Sequence, residues 1–158
     1  MIKVTSHLLA NLSDMAKDSP RKRKNHNFHS ADSDPLQRML NALESSTYVR
    51  PHRHVNPHKR ETFIILTGKV AVVEFDEEGN VIDKIILCSE LGNYCAEIIT
   101  GSWHTVISFE DNSVYYELKD GPYDEGTDKV FAEWAPEEES TKAFNYLEEM
   151  KAKVGVVK

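Results

Sequence analysis

The feature that most constrains this fold is a series of short apolar segments separated by turn-forming residues, which begins near residue 36. Regularly spaced segments of this length are typical of an all-β domain. Where successive residues are all apolar, as in 70–73, the pattern indicates a sheet that is covered on both faces, as in a sandwich or a barrel. The segments occupy residues 36–43, 47–54, 61–67, 69–76, 81–88, 94–99, 104–109 and 113–119.

Helical patterns flank this β-rich region. Residues 6–17 place apolar side chains at helical spacing, and residues 136–153 combine acidic first turns, at 137–139, with lysines at the end, which suits the helix dipole. Segment 36–43 fits a helix as well as a strand. We predict one domain, with an N-terminal helix and basic segment at 1–30, the β-rich region at 36–119, and a loop and C-terminal helix at 120–158.

Composition excludes several classes of protein. A chain of 158 residues with 40% hydrophobic residues is long and apolar enough for one packed domain, so we do not expect a disordered chain. The two cysteines show no zinc or disulfide spacing. The N-terminus lacks the apolar core of a signal peptide, and no apolar stretch reaches transmembrane length, so we expect a cytoplasmic protein.

Charge is unevenly distributed along the chain. Residues 1–60 contain 11 basic and 5 acidic side chains, whereas residues 61–158 contain 8 basic and 21 acidic ones. A basic first third suits a nucleic acid, a membrane surface or a small anion. The basic run at 21–24 has no RNA-binding motif with interleaved aromatic residues beside it. We therefore expect a small anionic or sugar-like ligand, with no nucleic acid and no membrane partner.

Histidines are concentrated in the same third of the chain, which holds six of the seven. On a strand, His52 and His54 project from one face and suit a shared cation. Glu61 opens the next β segment and offers a carboxylate oxygen. His104, after a glycine turn, is the remaining downstream histidine. This set favours a metal site over isolated structural histidines.

These residues resemble the two motifs of the cupin superfamily, G-x5-H-x-H-x3–4-E-x6-G and G-x5-P-x-G-x2-H-x3-N. His52, His54, Glu61 and Gly68 match the first motif, with six residues between His54 and Glu61. His104 matches the second motif, in which isoleucine and serine replace the proline and the asparagine. The resemblance implies that His52, His54, Glu61 and His104 bind the metal, with His58 in the longer spacer as an alternative ligand.

The resemblance is closer to WbuC-type cupin metalloproteins and extends over roughly residues 1–150. It implies a mainly β fold, the cupin double-stranded β-helix or jelly-roll barrel, with a short N-terminal helix and a C-terminal helical tail. It also favours a strand at 36–43, and it allows a homodimer. The segments that carry it are residues 19–29, 41–43, 48–54, 61–68, 101–106, 119–123 and 128–136.

The residues around the metal site suggest its ligand. Because Arg21, Arg23 and Asn25 share one face of an extended segment, they can line the barrel mouth, and Arg50 flanks the histidines. Cationic groups there suit a carboxylate or a phosphate. The resemblance adds Asn27 to these candidates, and Trp103, beside His104, offers a ring on which a sugar can stack. The candidate general acids or bases are His58, His29 and Tyr48.

The resulting functional hypothesis is a protein with one divalent ion, of Zn, Fe, Mn, Ni or Co. WbuC-type proteins occur with O-antigen gene clusters. We therefore expect a metalloenzyme, such as an isomerase or epimerase, that acts on a small anionic or sugar-derived substrate in surface-polysaccharide biosynthesis. The alternatives are a non-catalytic cupin that binds a sugar or metabolite and, less favoured, an iron-dependent dioxygenase.

Overall fold

The computed structural model describes residues 1–155 and shows two helices and ten strands within them. Residues 156–158, the end of the predicted tail, lie outside the described residues. The elements are α1 (Ser6–Asp18), β1 (Arg23–Asn27), β2 (Leu36–Leu43), β3 (His52–Arg53), β4 (Glu61–Thr67), β5 (Val70–Phe75), β6 (Val81–Leu87), a 3-10 turn (Ser89–Leu91), β7 (Cys95–Ile98), β8 (Trp103–Ser108), β9 (Ser113–Asp120), β10 (Val130–Phe131) and α2 (Ala143–Val154).

The strands form two antiparallel five-stranded sheets. One sheet has the order β1-β2-β9-β4-β7, and the other has the order β10-β3-β8-β5-β6. The mainly β prediction is confirmed, and segment 36–43 is a strand. Side chains such as Phe63, Val72, Val106 and Tyr115 fill the space between the sheets. The two sheets therefore enclose a single barrel interior.

Each helix covers the outer face of one sheet, which explains why successive strand residues are apolar. Leu12 and Ala16 of α1 pack on Leu40 and Val114 of the first sheet. Leu147, Met150 and Val154 of α2 belong to a cluster on the second sheet with Ala71, Val73 and Trp103. Since Val70 and Val72 face the interior while Ala71 and Val73 face α2, both faces of β5 are buried.

Two element boundaries differ from the sequence prediction. The C-terminal helix begins at Ala143, seven residues later than predicted, and residues 137–139 precede it. Glu138 instead accepts hydrogen bonds from Arg23 and Arg21, so contacts with distant residues hold this segment in turns. In the predicted strand 47–54, only His52–Arg53 pairs as a strand. Pro51 has no N–H to donate to a ladder, which limits the pairing there.

Gly68 ends the first motif where the chain turns from β4 into β5, with φ at +78°. A Cβ at this position would lie 2.4 Å from Ser113 Oγ and 2.8 Å from Ser113 Cα. We expect Gly68→Ala to lower the free energy of unfolding by about 2–5 kcal/mol. Alanine is strained in a left-handed conformation, and its Cβ would be too close to Ser113. Urea denaturation measures this change.

Gly92→Ala is the matched control for that substitution. Gly92 has φ at +75°, and a Cβ there would meet no described atom within 4 Å. It should therefore lose only the conformational contribution, about 1–2 kcal/mol. Equal losses for the two variants would show that close packing at Gly68 contributes nothing.

Candidate metal centre

The four residues of the predicted metal site come together between the two sheets. His52 on β3 and His104 on β8 are directly opposite each other in the strand register, and their rings lie 4.6 Å apart. His54 follows β3, and Glu61 is the first residue of β4 on the other sheet. One ligand atom from each of the four lies within 4.8 Å of the others, and all four residues are buried.

Backbone carbonyl groups fix the proton on each imidazole ring. The Nδ1 of His52 donates to the Arg50 carbonyl oxygen at 3.0 Å, and the Nδ1 of His104 donates to that of Ser102 at 2.9 Å. The Nδ1 of His54 donates to the carbonyl oxygen of Asp128. A carbonyl oxygen only accepts, so each ring carries its proton on Nδ1 and leaves the Nε2 lone pair free.

These free lone pairs have no hydrogen-bond partner. The Nε2 of His54, the Nε2 of His104 and the Oε2 of Glu61 are all sealed from solvent and unpaired. The 2.7 Å contact between His104 Nε2 and Glu61 Oε2 therefore brings two acceptor atoms together. Unsatisfied buried polar atoms cost about 1–3 kcal/mol each. A cation between them would satisfy all of them.

The chemistry of this donor set fits a divalent transition metal. Three imidazole nitrogens and one carboxylate oxygen suit Zn, Fe, Mn, Ni or Co, and do not select among them. Burial and then the Lys129 charge lower the pKa of His52 well below its ordinary value, so its ring stays neutral at neutral pH. A neutral ring is the form that binds a metal.

Asp128 holds the second layer of this site in place. Its carboxylate bonds to Lys59 Nζ at 2.6 Å and to Lys119 Nζ at 2.8 Å, while its carbonyl orients His54. The three side chains are only 2–6% exposed. Lys119 also lies 4.0 Å from Glu61. Sequence reasoning missed this network, although residues 128–136 belong to the segments that carry the WbuC resemblance.

Comparison with known families assigns the chain. A family model described as a domain of unknown function, DUF6016, matches residues 4–87, which is more than half of the chain. The chain belongs to this family. No curated protein matches it. In the DUF6016 chain, the matched region contains His52, His54 and Glu61, whereas His104 lies beyond it.

Solved structures establish the fold of this DUF6016 chain. The capsular polysaccharide assembling protein CapF from Staphylococcus aureus is 18% identical, with a TM-score of 0.59 over 73% of this chain and 33% of CapF. KdgF from Halomonas sp. is 13% identical, with a TM-score of 0.52 over 68% of this chain and 86% of KdgF. Oxalate oxidase in complex with glycolate is 12% identical, with a TM-score of 0.53 over 73% of this chain and 57% of that protein.

These similarities show the fold alone, and they confirm the predicted cupin barrel. The chain spans about a third of the length of CapF. Among residues 1–155 the structure contains no helix that is long and apolar enough to cross a membrane.

The candidate acid–base residues of the DUF6016 chain lie outside the metal cluster. His58 is exposed, and its ring lies about 3.3 Å from the position a Cβ would take at Gly101. The Nδ1 of His29 accepts a hydrogen bond from the Arg38 N–H at 3.1 Å. The Tyr48 hydroxyl donates to the Pro136 carbonyl oxygen at 2.9 Å. His29 and Tyr48 are therefore bonded elsewhere, and His58 is not among the four clustered ligands.

The predicted cationic residues converge on the C-terminal segment. Arg23 Nη2 lies 2.7 Å from both oxygens of Glu138, and Arg21 Nε donates to the same carboxylate at 3.2 Å. Arg50 donates to the Ala132 carbonyl oxygen at 2.8 Å. Glu138 therefore compensates part of the positive charge that the sequence places at the barrel mouth.

The last three predicted ligand-binding residues have separate surroundings. Trp103 faces outward, on the opposite side of β8 from His104, where its Nε1 donates to Glu77 at 2.9 Å. The Arg53 guanidinium lies 4.1 Å above its ring. Asn25 donates to Asn27 at 2.7 Å on exposed β1. The structure thus separates Trp103 from the metal cluster by the thickness of a sheet.

Proposed function

We propose that this chain is a WbuC-type cupin metalloenzyme, located in the cytoplasm, that acts on a small anionic or sugar-derived substrate in surface-polysaccharide biosynthesis. The observation that carries the proposal is the convergence of three Nε2 lone pairs and the Glu61 carboxylate, with unpaired atoms on His54, His104 and Glu61. The fold similarity to CapF, whose name refers to capsular polysaccharide assembly, supports the substrate class.

The four clustered residues would hold one divalent ion, which supplies Lewis-acid polarisation of a substrate carbonyl, hydroxyl or phosphate oxygen. The protein contributes orientation and charge. Backbone carbonyls keep the imidazoles in the ligating tautomer, and Asp128 keeps His54 in position. Lys119 places a buried cation 4.0 Å from Glu61, which favours an anionic substrate over a neutral one.

One observation favours a second candidate function, a non-catalytic cupin that binds a sugar through its metal. The three side chains considered as general acid or base, His58, His29 and Tyr48, are each exposed or bonded elsewhere. An isomerase or epimerase requires a proton-transfer group within hydrogen-bond distance of its substrate. Turnover therefore separates the two candidates.

We expect the metal-loaded protein to convert at least one substrate from a panel of nucleotide sugars and sugar acids, followed by proton NMR in deuterated water. Glu61→Gln should lower turnover at least about 100-fold, because it removes the anionic ligand. Glu97→Gln, an exposed carboxylate on β7, should leave turnover unchanged. Saturable binding without turnover would support the binding protein instead, and oxygen consumption by the iron form would support a dioxygenase.

A further inference from the structure

A cavity of about 270 Å³ lies beside β1, on the same side of the first sheet as the barrel interior. Asn25, Asn41 and Tyr115 stand directly opposite one another on the three neighbouring strands β1, β2 and β9, and all three line the cavity. These three residues share a sheet face with Glu117, two residues further along β9 from Tyr115. The cavity therefore opens onto a polar part of this face.

The polar groups at the floor of this cavity are only partly satisfied. Tyr115 is 6% exposed and packs its ring edge-on against Phe63 at 5.4 Å, yet its hydroxyl makes no hydrogen bond to the described residues. Asn41 Nδ2 donates to Glu117 Oε2 at 2.8 Å, which fixes the amide and leaves its Oδ1 as an acceptor. The hydroxyl is not among the sealed atoms that lack a partner, so it opens to the cavity and can bond to a ligand there. These groups suit the hydroxyls of a ligand.

The rim of the cavity is cationic. Arg21 and Arg23 both line it, and both pair with the single carboxylate of Glu138. Lys24 is opposite Ala42 in the strand register, so its side chain projects to the α1 side of the sheet and does not add to this charge. More positive than negative groups therefore surround the opening, which favours a carboxylate or a phosphate on the ligand.

We propose that this cavity is a subsite for a hydroxylated anion of monosaccharide size, a sugar acid or a sugar phosphate. The volume of about 270 Å³ is slightly below the roughly 300 Å³ at which pockets for drug-sized ligands begin, so it fits one sugar unit. Arg21 and Arg23 supply the positive charge for the anionic group, whereas Tyr115 and Asn41 face the hydroxyls.

The subsite is separate from the metal centre, and its ligand goes beyond the proposed function. Lys119 pairs with the metal ligand Glu61 in the strand register, and Tyr115 lies four residues further along β9. Four residues of strand span about 14 Å. The Phe63 ring packs 5.4 Å from that of Tyr115 and 6.5 Å from that of His104, so the cavity binds its ligand independently of the metal centre.

Calorimetric titration of the metal-loaded protein tests the subsite. The probes are D-glucuronate and D-glucose 1-phosphate, with neutral D-glucose and acetate as references. We expect either sugar anion to bind more tightly than both references, which each lack one recognised group. Tyr115→Phe should weaken binding of the sugar anion about 3- to 10-fold, because a hydrogen bond is lost, without lowering the urea midpoint. Arg21→Ala should weaken it about 2- to 5-fold, because Arg21 is the more exposed of the two arginines at the rim.

Neighbouring residues supply the matched controls. Tyr116 lies on the opposite face of β9, where it stacks on Phe28 at 5.6 Å, so Tyr116→Phe should leave the affinity unchanged. Lys22 lines a different cavity of about 460 Å³, so Lys22→Ala should also have no effect. Lys24→Ala, on the α1 side of the sheet, should likewise leave the affinity unchanged.

Two results would overturn the subsite. Affinity that is insensitive to both Tyr115→Phe and Arg21→Ala places the anion elsewhere. Acetate that binds as tightly as glucuronate shows that the hydroxyls are not recognised. Metal content is measured for every variant and should not change. If the protein loads metal but fails these binding tests, the subsite is wrong and the proposed function stands. If a protein that takes up no metal still binds the sugar anion through Tyr115, the subsite stands and the proposed function is wrong.

Discussion

His104→Ala is expected to weaken divalent-metal binding at least about 100-fold, because it removes one of three imidazole ligands from a set of four. Titration with Zn²⁺ and with spectroscopically visible Co²⁺ measures the loss. Since a buried histidine replaced by alanine also leaves a cavity, Glu61→Gln provides a second variant of nearly the same shape. Both variants should lose metal, while Glu61→Gln keeps the barrel packed.

His58→Ala is the control for this experiment. His58 is exposed and lies outside the four clustered ligands, so its removal should leave metal affinity within about twofold of the parent protein. If His58→Ala lost metal as severely as His104→Ala, the longer spacer would supply a ligand that the structure places elsewhere. Unchanged affinity in His104→Ala would remove His104 from the metal site.

Asp128→Asn is expected to lower the free energy of unfolding by about 3–5 kcal/mol, because it leaves two buried lysine cations without their shared counter-charge. Lys59 and Lys119 contact the carboxylate at 2.6 Å and 2.8 Å, and the asparagine amide cannot neutralise either. Urea denaturation measures the effect. The backbone carbonyl that holds His54 remains in this variant, so the change reports mainly on the charge network.

An exposed ion pair at the end of β9, next to Lys119, gives the comparison. Asp120 at the end of β9 pairs with Arg60, whose side chain is 66% exposed, so Asp120→Asn should cost no more than about 1 kcal/mol. Similar losses for the two variants would mean that burial does not strengthen the Asp128 network. A smaller loss for Asp128→Asn than for Asp120→Asn would show that its lysines find other partners.

Much of the barrel follows from local sequence patterns. Strands β4, β5, β6, β8 and β9 coincide closely with predicted segments because period-2 apolar residues and turn residues act over short distances. The four clustered residues were also accessible from sequence. The spacing of His52 and His54 places both rings on one face, and Glu61 and His104 match motif positions that the fold brings together.

What sequence reasoning missed depends on contacts between distant residues. Glu138 belongs to an acidic run that suits a helix start, yet Arg23 from β1 captures it before the helix begins at Ala143. Asp128 reaches His54 across 74 positions of sequence, and no local pattern encodes that contact. The position of Trp103, in contrast, could be predicted from the sequence. Side chains alternate along a strand, so Trp103 lies on the other face of β8 from His104.

The uneven charge of the chain acquires a structural meaning. The basic first third does not form a separate arm, since Arg21 and Arg23 pair with Glu138 from the acidic remainder. Lys59 likewise pairs with Asp128 beneath the metal centre. Acidic groups from the last third of the chain thus hold positive groups from the first third in place.

The central claim is that one divalent ion binds to His52, His54, Glu61 and His104. Anaerobic purification, followed by elemental analysis and X-ray absorption spectroscopy at the edge of the metal found, tests it most directly. The structure predicts one ion per chain, with imidazole nitrogens from three histidines and carboxylate oxygen in its first shell. A protein that carries no metal as purified and takes up neither Zn²⁺, Mn²⁺ nor Fe²⁺ in titration would contradict the account.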